Sequence, residues 1–224
     1  MLQTADVAVL GAGMVGVSAA LHLQARGRDA ALVDRHGAAG LETSFGNAGL
    51  IERASIFPYL FPRDYGDLLR YALNLSPQAH YHLAALPSVA PWLWRYFRES
   101  APERAERHAR DALPLVERCL EEHDALIQLA GAGDIVRRIG WIKLYRSEKT
   151  LAKGIADAER LRDYALRIEV LDAAGLAALE PNIAPVKGAV HFLDTASVAD
   201  PSAVAQAYAD LFQRRGGRFL AGDV

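Results

Sequence analysis

Three glycines near the amino terminus have the spacing of a phosphate-binding turn. Residues 11–16 read G-A-G-M-V-G, which matches the pattern G-x-G-x-x-G. In such a turn the first glycine permits a tight bend, the second lets the backbone approach a pyrophosphate, and the third lets a helix pack closely on a strand. The N–H groups at the start of that helix favour phosphate oxygens. The predicted binding residues are Gly11, Ala12, Gly13, Met14, Val15 and Gly16.

An acidic residue follows where a ribose-binding role requires one. Asp34 lies 18 residues after Gly16, and its carboxylate is predicted to accept a hydrogen bond from a ribose hydroxyl. An acid at this point suits the adenosine ribose of NAD or FAD and disfavours the 2′-phosphate of NADP. These residues alone leave NAD and FAD open as cofactors.

The elements that must position these residues form one strand–helix–strand unit. Residues 5–10 are apolar and β-branched, which predicts a buried strand. Residues 14–26 predict a helix with one apolar face, and Gly27 is a typical helix stop. Residues 29–33 predict a second strand, which ends at the acid. Because a glycine motif alone is a weak signal, this order of elements carries the prediction of a dinucleotide-binding βαβ unit.

The pattern changes downstream from α/β to helical and then to strands mixed with helices. Residues 36–50 predict a loop. Helices are predicted over 64–73, 92–99, 103–129, 151–164, 173–179 and 201–215, with breaks at Pro87 and Pro91 and a kink or division at Pro114. Strands are predicted over 135–138, 141–145, 167–170, 188–193 and 218–220, the first two as a hairpin around Gly140. We expect the last helix and strand to return to the first sheet.

The segment after the second strand resembles a known family. Residues 41–49 read L-E-T-S-F-G-N-A-G, which is similar to the E-T-S-x-x-N-A-G stretch of D-amino acid dehydrogenases, in the wider glycine/D-amino acid oxidase (DAO) family of FAD enzymes. The pair Asp34–Arg35, the strand at 140–145, the helix ending in E-P at 171–181 and the strand at 188–193 also resemble that family. The resemblance covers most of the chain but only the N-terminal half of a family member.

The resemblance implies FAD as the cofactor and adds residues to the predicted site. In that family, the segment that matches residues 44–49 runs close to the flavin. Ala48 and Gly49 are small enough for the backbone to approach a cofactor, and Ser44 and Asn47 carry short hydrogen-bonding side chains. The added residues are Arg35, Thr43, Ser44, Asn47, Ala48, Gly49 and Val224, the last as the valine that lies beside the adenine in the family.

The fold class predicted is α/β (α+β mixed). A Rossmann-like FAD- or NAD(P)-binding βαβ unit is followed by the beginning of a substrate domain of mixed strands and helices. We predict an FAD-binding segment over residues 1–50, a helical and mixed-strand substrate or cap segment over 51–194, and a returning helix and strand over 195–224. The chain is expected to be truncated relative to the family.

The resemblance also implies a reaction, oxidation of the C–N bond of an amino acid or amine. Hydride passes from the substrate α-carbon to flavin N5, the imino acid hydrolyses to a keto acid and ammonia, and electrons go to a quinone or electron carrier. No catalytic residue is assigned, because the family's carboxylate-binding residues lie largely in its C-terminal half. The turn at residues 194–201 lacks the family's glycine, which leaves the D-amino acid subclass open.

Two alternatives stand beside this reading. The chain is a non-catalytic FAD-binding fragment or subunit that needs a C-terminal half or a partner chain, or it is an NAD-linked dehydrogenase, which residues 41–49 disfavour.

Composition and charge argue against other classes of function. The 25 basic and 27 acidic residues give a net charge of −2, which predicts no nucleic-acid partner. The single cysteine, Cys119, excludes an internal disulfide. His80 and His82 lack further metal ligands at suitable spacing, so no metal site is predicted. The expected location is the cytoplasm. The aromatic and basic residues at 92–98 could reach the inner face of a membrane, although packing within the substrate domain is favoured.

Overall fold

The computed structural model describes residues 4–77 and 80–222. The predicted cofactor residue Val224 lies outside the described residues. The chain up to Ala54, together with the chain from Arg118 onward, forms one compact unit. Residues 55–117 form a second unit. The glycine turn and the segment at 41–49 both belong to the first unit.

The described helices and strands are as follows. The helices are α1 (Met14–Ala25), α2 (Tyr65–Ala72), α3 (Leu86–Glu99), α4 (Pro102–Val116), α5 (Cys119–Ala130), α6 (Glu148–Glu159), α7 (Ala173–Leu179) and α8 (Pro201–Arg214). The strands are β1 (Val7–Leu10), β2 (Ala30–Asp34), β3 (Leu50–Glu52), β4 (Val136–Arg137), β5 (Trp141–Tyr145), β6 (Ile168–Leu171), β7 (Gly188–Phe192), β8 (Thr195–Val198) and β9 (Arg218–Ala221). Short 3-10 turns lie at Leu83–Ala85, Gly133–Ile135 and Arg160–Tyr164.

The sheet that carries the glycine turn is parallel and has the order β1–β2–β9. The predicted strand–helix–strand unit is therefore confirmed, and so is the return of the last helix and strand to the first sheet. Because β2 lies between β1 and β9, Asp34 ends the central strand of the sheet. The carboxyl ends of parallel strands are where open α/β sheets bind their ligands.

Helices α1 and α8 pack against each other over this sheet. Their shared core contains Val17 and Leu21 from α1, Leu32 from β2, and Tyr208 and Phe212 from α8, all at most 1% exposed. Burial of one such large side chain stabilises a fold by about 1.5–3 kcal/mol. This packing fixes the angle at which α1 presents its first turn.

Two antiparallel sheets complete the first unit, with the orders β3–β8–β4 and β5–β7–β6. The predicted hairpin around Gly140 is wrong, because β4 pairs with β8 and β5 pairs with β7. A Cβ at Gly140 would lie 2.4 Å from the carbonyl oxygen of Phe192, so the glycine serves a close crossing rather than a hairpin turn. Residues 50 and 195–198 were expected outside strands and instead belong to β3 and β8.

Prolines interrupt the helices of the chain less than the sequence predicts. The expected breaks at Pro87 and Pro91 are wrong, because both residues lie within α3. Pro87 lies in the first turn, where a backbone N–H has no partner within the helix. Pro91 removes the hydrogen bond to the carbonyl of residue 87 and brings its ring against that carbonyl, but α3 continues through it. The long helix predicted over 103–129 is divided, but at residues 117–118, and Pro114 lies inside α4.

The aromatic segment of α3 divides into packed and exposed side chains. Tyr96 and Phe97 make edge-to-face contacts with Phe61, at ring-centroid distances of 5.4 and 5.8 Å. Trp92 and Trp94 are 62% and 61% exposed. Within the described ranges, no helix combines the length and the apolar content that crossing a bilayer requires.

Candidate cofactor-binding site

Two of the three motif glycines meet steric demands that other residues cannot. Gly11 has a φ of +95° and donates its N–H to the carbonyl of Val33 at 2.7 Å. L-residues rarely adopt this φ. A Cβ at Gly16 would lie 1.8 Å from the carbonyl oxygen of Gly11. The turn can therefore be this tight, and α1 this close to it, only with glycine at both positions.

The first turn of α1 is left open to an anion. Its N-cap, Gly13, offers no side-chain hydrogen bond, and the first turn contains no acidic residue. No carboxylate of the helix's own first turn therefore compensates the partial positive charge of its terminus. Val15, in the same turn, is 84% exposed. This is the arrangement that binds phosphate groups at helix termini.

Asp34 is held against the glycine turn by backbone hydrogen bonds. Its Oδ2 accepts from the N–H of Ala12 at 2.6 Å, and its Oδ1 accepts from the N–H of His36 at 2.8 Å. Burial acts to raise the pKa of this carboxyl, but the two hydrogen bonds and the charges of His36 and Arg35 outweigh it and hold the pKa below its usual value. Since each carboxylate oxygen has a second lone pair, both can still accept from a ribose hydroxyl.

A cleft of about 260 Å³ lies beside this carboxylate, and we call it the ribose cleft. Its lining residues are Leu10, Gly11, Val33, Asp34, Arg35, Glu42 and Gly222. Across it, Glu42 Oε1 lies 3.4 Å from Arg35 Nε and 3.0 Å from His36 Nε2. These three side chains are exposed or half-exposed, so their ion pairs contribute little stability by themselves.

The segment at 41–49 folds back onto the glycine turn. The hydroxyl of Ser44 accepts from the N–H of Met14 at 3.0 Å, and Ser44 is only 7% exposed. The N–H of Gly40 donates to the carbonyl of Ala12 at 2.9 Å. Two stretches separated by some 30 residues are therefore joined by direct hydrogen bonds, as a shared binding site requires.

The end of this segment is shaped by a second steric constraint. Gly49 has a φ of +62°, and a Cβ there would lie 2.3 Å from the carbonyl oxygen of Val198. The side chain of Asn47 accepts from the N–H of Gly49 at 2.8 Å and donates to the carbonyl of Thr43 at 3.3 Å. Asn47 thus closes the turn internally, and Ala48 lies exposed within it.

A second cavity, of about 220 Å³, lies where this segment meets α1, α5 and α8, and we call it the loop-side cavity. Its lining residues are Met14, Asn47, Gly49, Leu50, Ile51, Glu52, Cys119, His123, Val198, Pro201 and Val204. The lining is mainly apolar, with a few polar side chains. A pocket of this composition suits a largely apolar ring system that makes a few polar contacts.

Six of the fourteen predicted site residues line these two cavities. Gly11, Asp34 and Arg35 line the ribose cleft, and Met14, Asn47 and Gly49 line the loop-side cavity. The carbonyl of Thr43 accepts the hydrogen bond from the Asn47 side chain that helps to close the turn. Sequence reasoning missed His123, although Cys119 and His123 lie one helical turn apart on α5 and this spacing puts them on one face.

Replacement of Ser44 tests the link between the two stretches. We expect Ser44→Ala to leave the N–H of Met14 without its acceptor, and this should lower the free energy of unfolding by about 1–3 kcal/mol. Thermal unfolding measures the change. Ser88→Ala is the matched control, because the Ser88 hydroxyl is exposed and donates within its own helix. Equal stabilities of the two variants would contradict the role of Ser44.

These features fit an extended dinucleotide of the FAD type. The glycine turn and the first turn of α1 leave room for a diphosphate, since a side chain would be strained at Gly11 and would clash at Gly16. The ribose cleft reaches this turn at Gly11, and the loop-side cavity reaches it at Met14. FAD carries adenosine on one side of its diphosphate and the flavin on the other, so the two cavities match its two ends.

Comparisons with known proteins agree with this geometry. The family model described as FAD dependent oxidoreductase (DAO) matches residues 6–224. A D-amino acid dehydrogenase of Xylella fastidiosa (strain M12) is 32% identical over 225 residues, which cover 96% of this chain and 50% of that protein. A D-amino acid dehydrogenase of Methylobacterium sp. (strain 4-46) is 33% identical over 227 residues, which cover 96% and 52%. The chain thus spans about half the length of the curated relatives it matches.

Solved structures share this fold. Glycine oxidase from Geobacillus kaustophilus matches with a TM-score of 0.59 and 20% identity, over 96% of this chain and 46% of that one. L-amino acid deaminase from Proteus vulgaris matches with a TM-score of 0.61 and 17% identity, over 98% and 40%. The predicted mixed α/β fold with a Rossmann-like unit is confirmed. FAD, the predicted cofactor, is the one that the matching family uses.

Proposed function

The chain belongs to the DAO family of FAD-dependent oxidoreductases, and from this membership we propose that it oxidises the C–N bond of an amino acid or amine. The D-amino acid dehydrogenases among its relatives support that substrate class. The observation that carries the proposal is the hydrogen bond from Met14 to Ser44, because it joins the phosphate-binding turn to the segment that resembles those dehydrogenases.

We propose a specific role for each part of the site. Asp34 accepts a hydrogen bond from the adenosine ribose, with Arg35 beside it in the ribose cleft. The first turn of α1 binds the diphosphate. Thr43, Ser44, Asn47, Ala48 and Gly49 form the wall on the flavin side, and the turn that Asn47 closes keeps this wall in place. The division of the chain at about residues 50 and 194 into cofactor and substrate segments also remains a proposal.

The chemistry proposed needs no acid or base from these residues. Bound FAD supplies the acceptor for the hydride that leaves the substrate α-carbon. Loss of the hydride from the neutral amine leaves an iminium, the protonated imine, and water then hydrolyses it to a carbonyl product and ammonium. The chain's own contribution is to hold the cofactor in a fixed orientation and to cover it from water. We also propose a quinone or an electron carrier as the final acceptor and a cytoplasmic location, with contact at the inner face of a membrane as the less favoured alternative.

A second candidate function follows from the coverage of the relatives. Since the chain matches only about half of each, it could bind FAD without turnover until a further segment or a partner chain supplies the substrate site. The absorption spectrum of the purified protein with FAD distinguishes the candidates. Protein-bound flavin bands that bleach when a D-amino acid is added without oxygen support the enzyme. Bands that persist support the binding module, and a protein that retains no FAD contradicts both.

A further inference from the structure

The loop-side cavity contains an ionisable ring that the proposed function leaves unused. His123 lies on the first turns of α5 and lines the cavity together with Cys119. Its Nδ1 is 3.1 Å from the hydroxyl oxygen of Tyr208, and the two rings stack at 27°. Tyr208 is fully buried, and its hydroxyl also donates to the main-chain carbonyl of His123 at 3.2 Å. The imidazole is therefore held in one place by a rigid part of the core.

The surroundings of His123 favour the uncharged ring. Burial lowers its pKa, and the charge of Asp124 opposes this only in part. Tyr208 stays protonated, because burial raises its pKa far above neutrality. The charged or titratable groups of the elements packed around this ring are Tyr208 on α8, Glu52 on β3, Arg53 directly after it, His22 on α1, and Cys119, Glu122 and Asp124 on α5.

Two carboxylates of the same helix are already paired. Asp124 lies 2.6 Å from Arg138, and Glu122 lies 2.6 Å from Arg118. A protonated His123 would have to share one of these acids or Glu52, the carboxylate of the cavity lining, or remain an uncompensated cation beside apolar residues. An uncompensated buried charge is costly. The surroundings of the cavity therefore favour the neutral form of the His123 side chain.

From this arrangement we propose that the loop-side cavity receives the flavin-side part of bound FAD, and that His123 is a positioning residue whose protonation opposes FAD binding. The proposal rests on the proposed function. Any group that fills the cavity removes water from the ring and so makes its charged form still less favourable. By linkage, protonation must then weaken binding by the same factor. The negative charge of the diphosphate would favour a protonated His123. The N–H groups of the first turn of α1, however, already face that charge.

The chain contains a built-in reporter for occupancy of the cavity. Cys119 is the single cysteine of the sequence, it is partly buried, and it lines the same cavity as His123. We expect FAD to slow the reaction of Cys119 with a maleimide at pH 8 by about tenfold, since an occupied cavity excludes the reagent. ADP, which offers only the adenosine diphosphate part, should give no such protection. Equal protection by ADP, or none by FAD, overturns the placement.

The pH dependence of FAD affinity tests the role of His123. Titration of FAD fluorescence should show binding by the unaltered protein several-fold weaker at pH 5.5 than at pH 8, below the limit of about tenfold that a free-protein pKa of about 6.5 would set. His123→Gln, and His123→Asn as a second neutral variant, should bind with little change over that range. His108→Gln is the matched control, because His108 is a half-exposed histidine on α4, in the other unit, and it should behave like the unaltered protein.

Each outcome of this titration is decisive. A His123 variant that keeps the full pH dependence, or a protein that binds FAD more tightly at pH 5.5, overturns the inference while leaving FAD binding intact. Absence of FAD binding at every pH overturns the proposed function itself, so the two failures are distinguishable.

Discussion

Replacement of Gly16 by alanine is expected to abolish measurable FAD binding and to destabilise the first unit. The added Cβ would lie 1.8 Å from the carbonyl oxygen of Gly11 and 3.0 Å from its carbonyl carbon. Both are backbone atoms, so no side chain can rotate away, and α1 must move from the turn. Overpacking of this kind costs about 1–3 kcal/mol. Displacement of the helix terminus also removes the N–H groups that would bind the diphosphate, so we expect FAD affinity to fall by about 100-fold or more.

The matched control for this change is Gly37→Ala. Gly37 lies in the same unit, has no positive φ, and has no atom within 4 Å of a Cβ built on it. Thermal unfolding and an FAD titration should therefore give values close to those of the unaltered protein. If Gly16→Ala bound FAD within about twofold of the unaltered protein, the close approach of α1 to the turn would not be what forms the cradle.

Replacement of Asp34 by alanine should weaken FAD binding by about 100-fold while the chain stays folded. The change removes the acceptor for the ribose and leaves the N–H groups of Ala12 and His36 without their partners. Asp34→Asn keeps one oxygen acceptor, so its loss of affinity should be intermediate. Asp111→Ala, at an exposed position on α4, is the control. An Asp34→Ala protein with unchanged FAD affinity would exclude the ribose role.

The same aspartate predicts a dependence of stability on pH. The folded state holds the pKa of Asp34 below its ordinary value of 3.8. The ionised carboxylate therefore stabilises the fold fully above that value, and the contribution is lost as the pH falls through the lower, folded pKa. The stability difference between the unaltered protein and Asp34→Asn should thus be constant from pH 5 to pH 7 and should shrink below about pH 4. A difference that grew on acidification would contradict the pKa direction.

The cofactor half of the site could be predicted from the sequence because its signals are local. Gly11, Gly16 and Asp34 lie within one short βαβ unit, where the period of apolar residues and the glycine stops agree with each other. The segment at 41–49 was found by resemblance, and nothing local in it showed that Ser44 would accept from Met14. That contact depends on how the loop folds back, which periodicity does not encode.

The parts that could not be predicted depend on distant partners. β3 has only three residues and pairs with β8, almost 150 positions later, so no alternation marks it as a strand. The strands predicted over 135–138 and 141–145 suggest a hairpin, because a glycine between two short apolar runs is a common hairpin signal. The partners of both strands lie much further along the chain instead. The sequence does not single out His123, because a histidine on a helix can be given a role only once Tyr208 and the cavity are known to lie beside it.

The central position of β2 has a consequence for how this protein is made. The strand that ends at Asp34 emerges early from the ribosome, but its second neighbour, β9, begins only at Arg218. One side of β2 must therefore stay unpaired by β9 until Arg218 and the residues after it have been synthesised, and an unpaired strand edge is prone to association with other chains. Pairing across so long a stretch of chain is also slow. The cofactor cradle is synthesised long before β9 can pair with β2, so nascent chains are expected to depend on chaperones until β9 is in place.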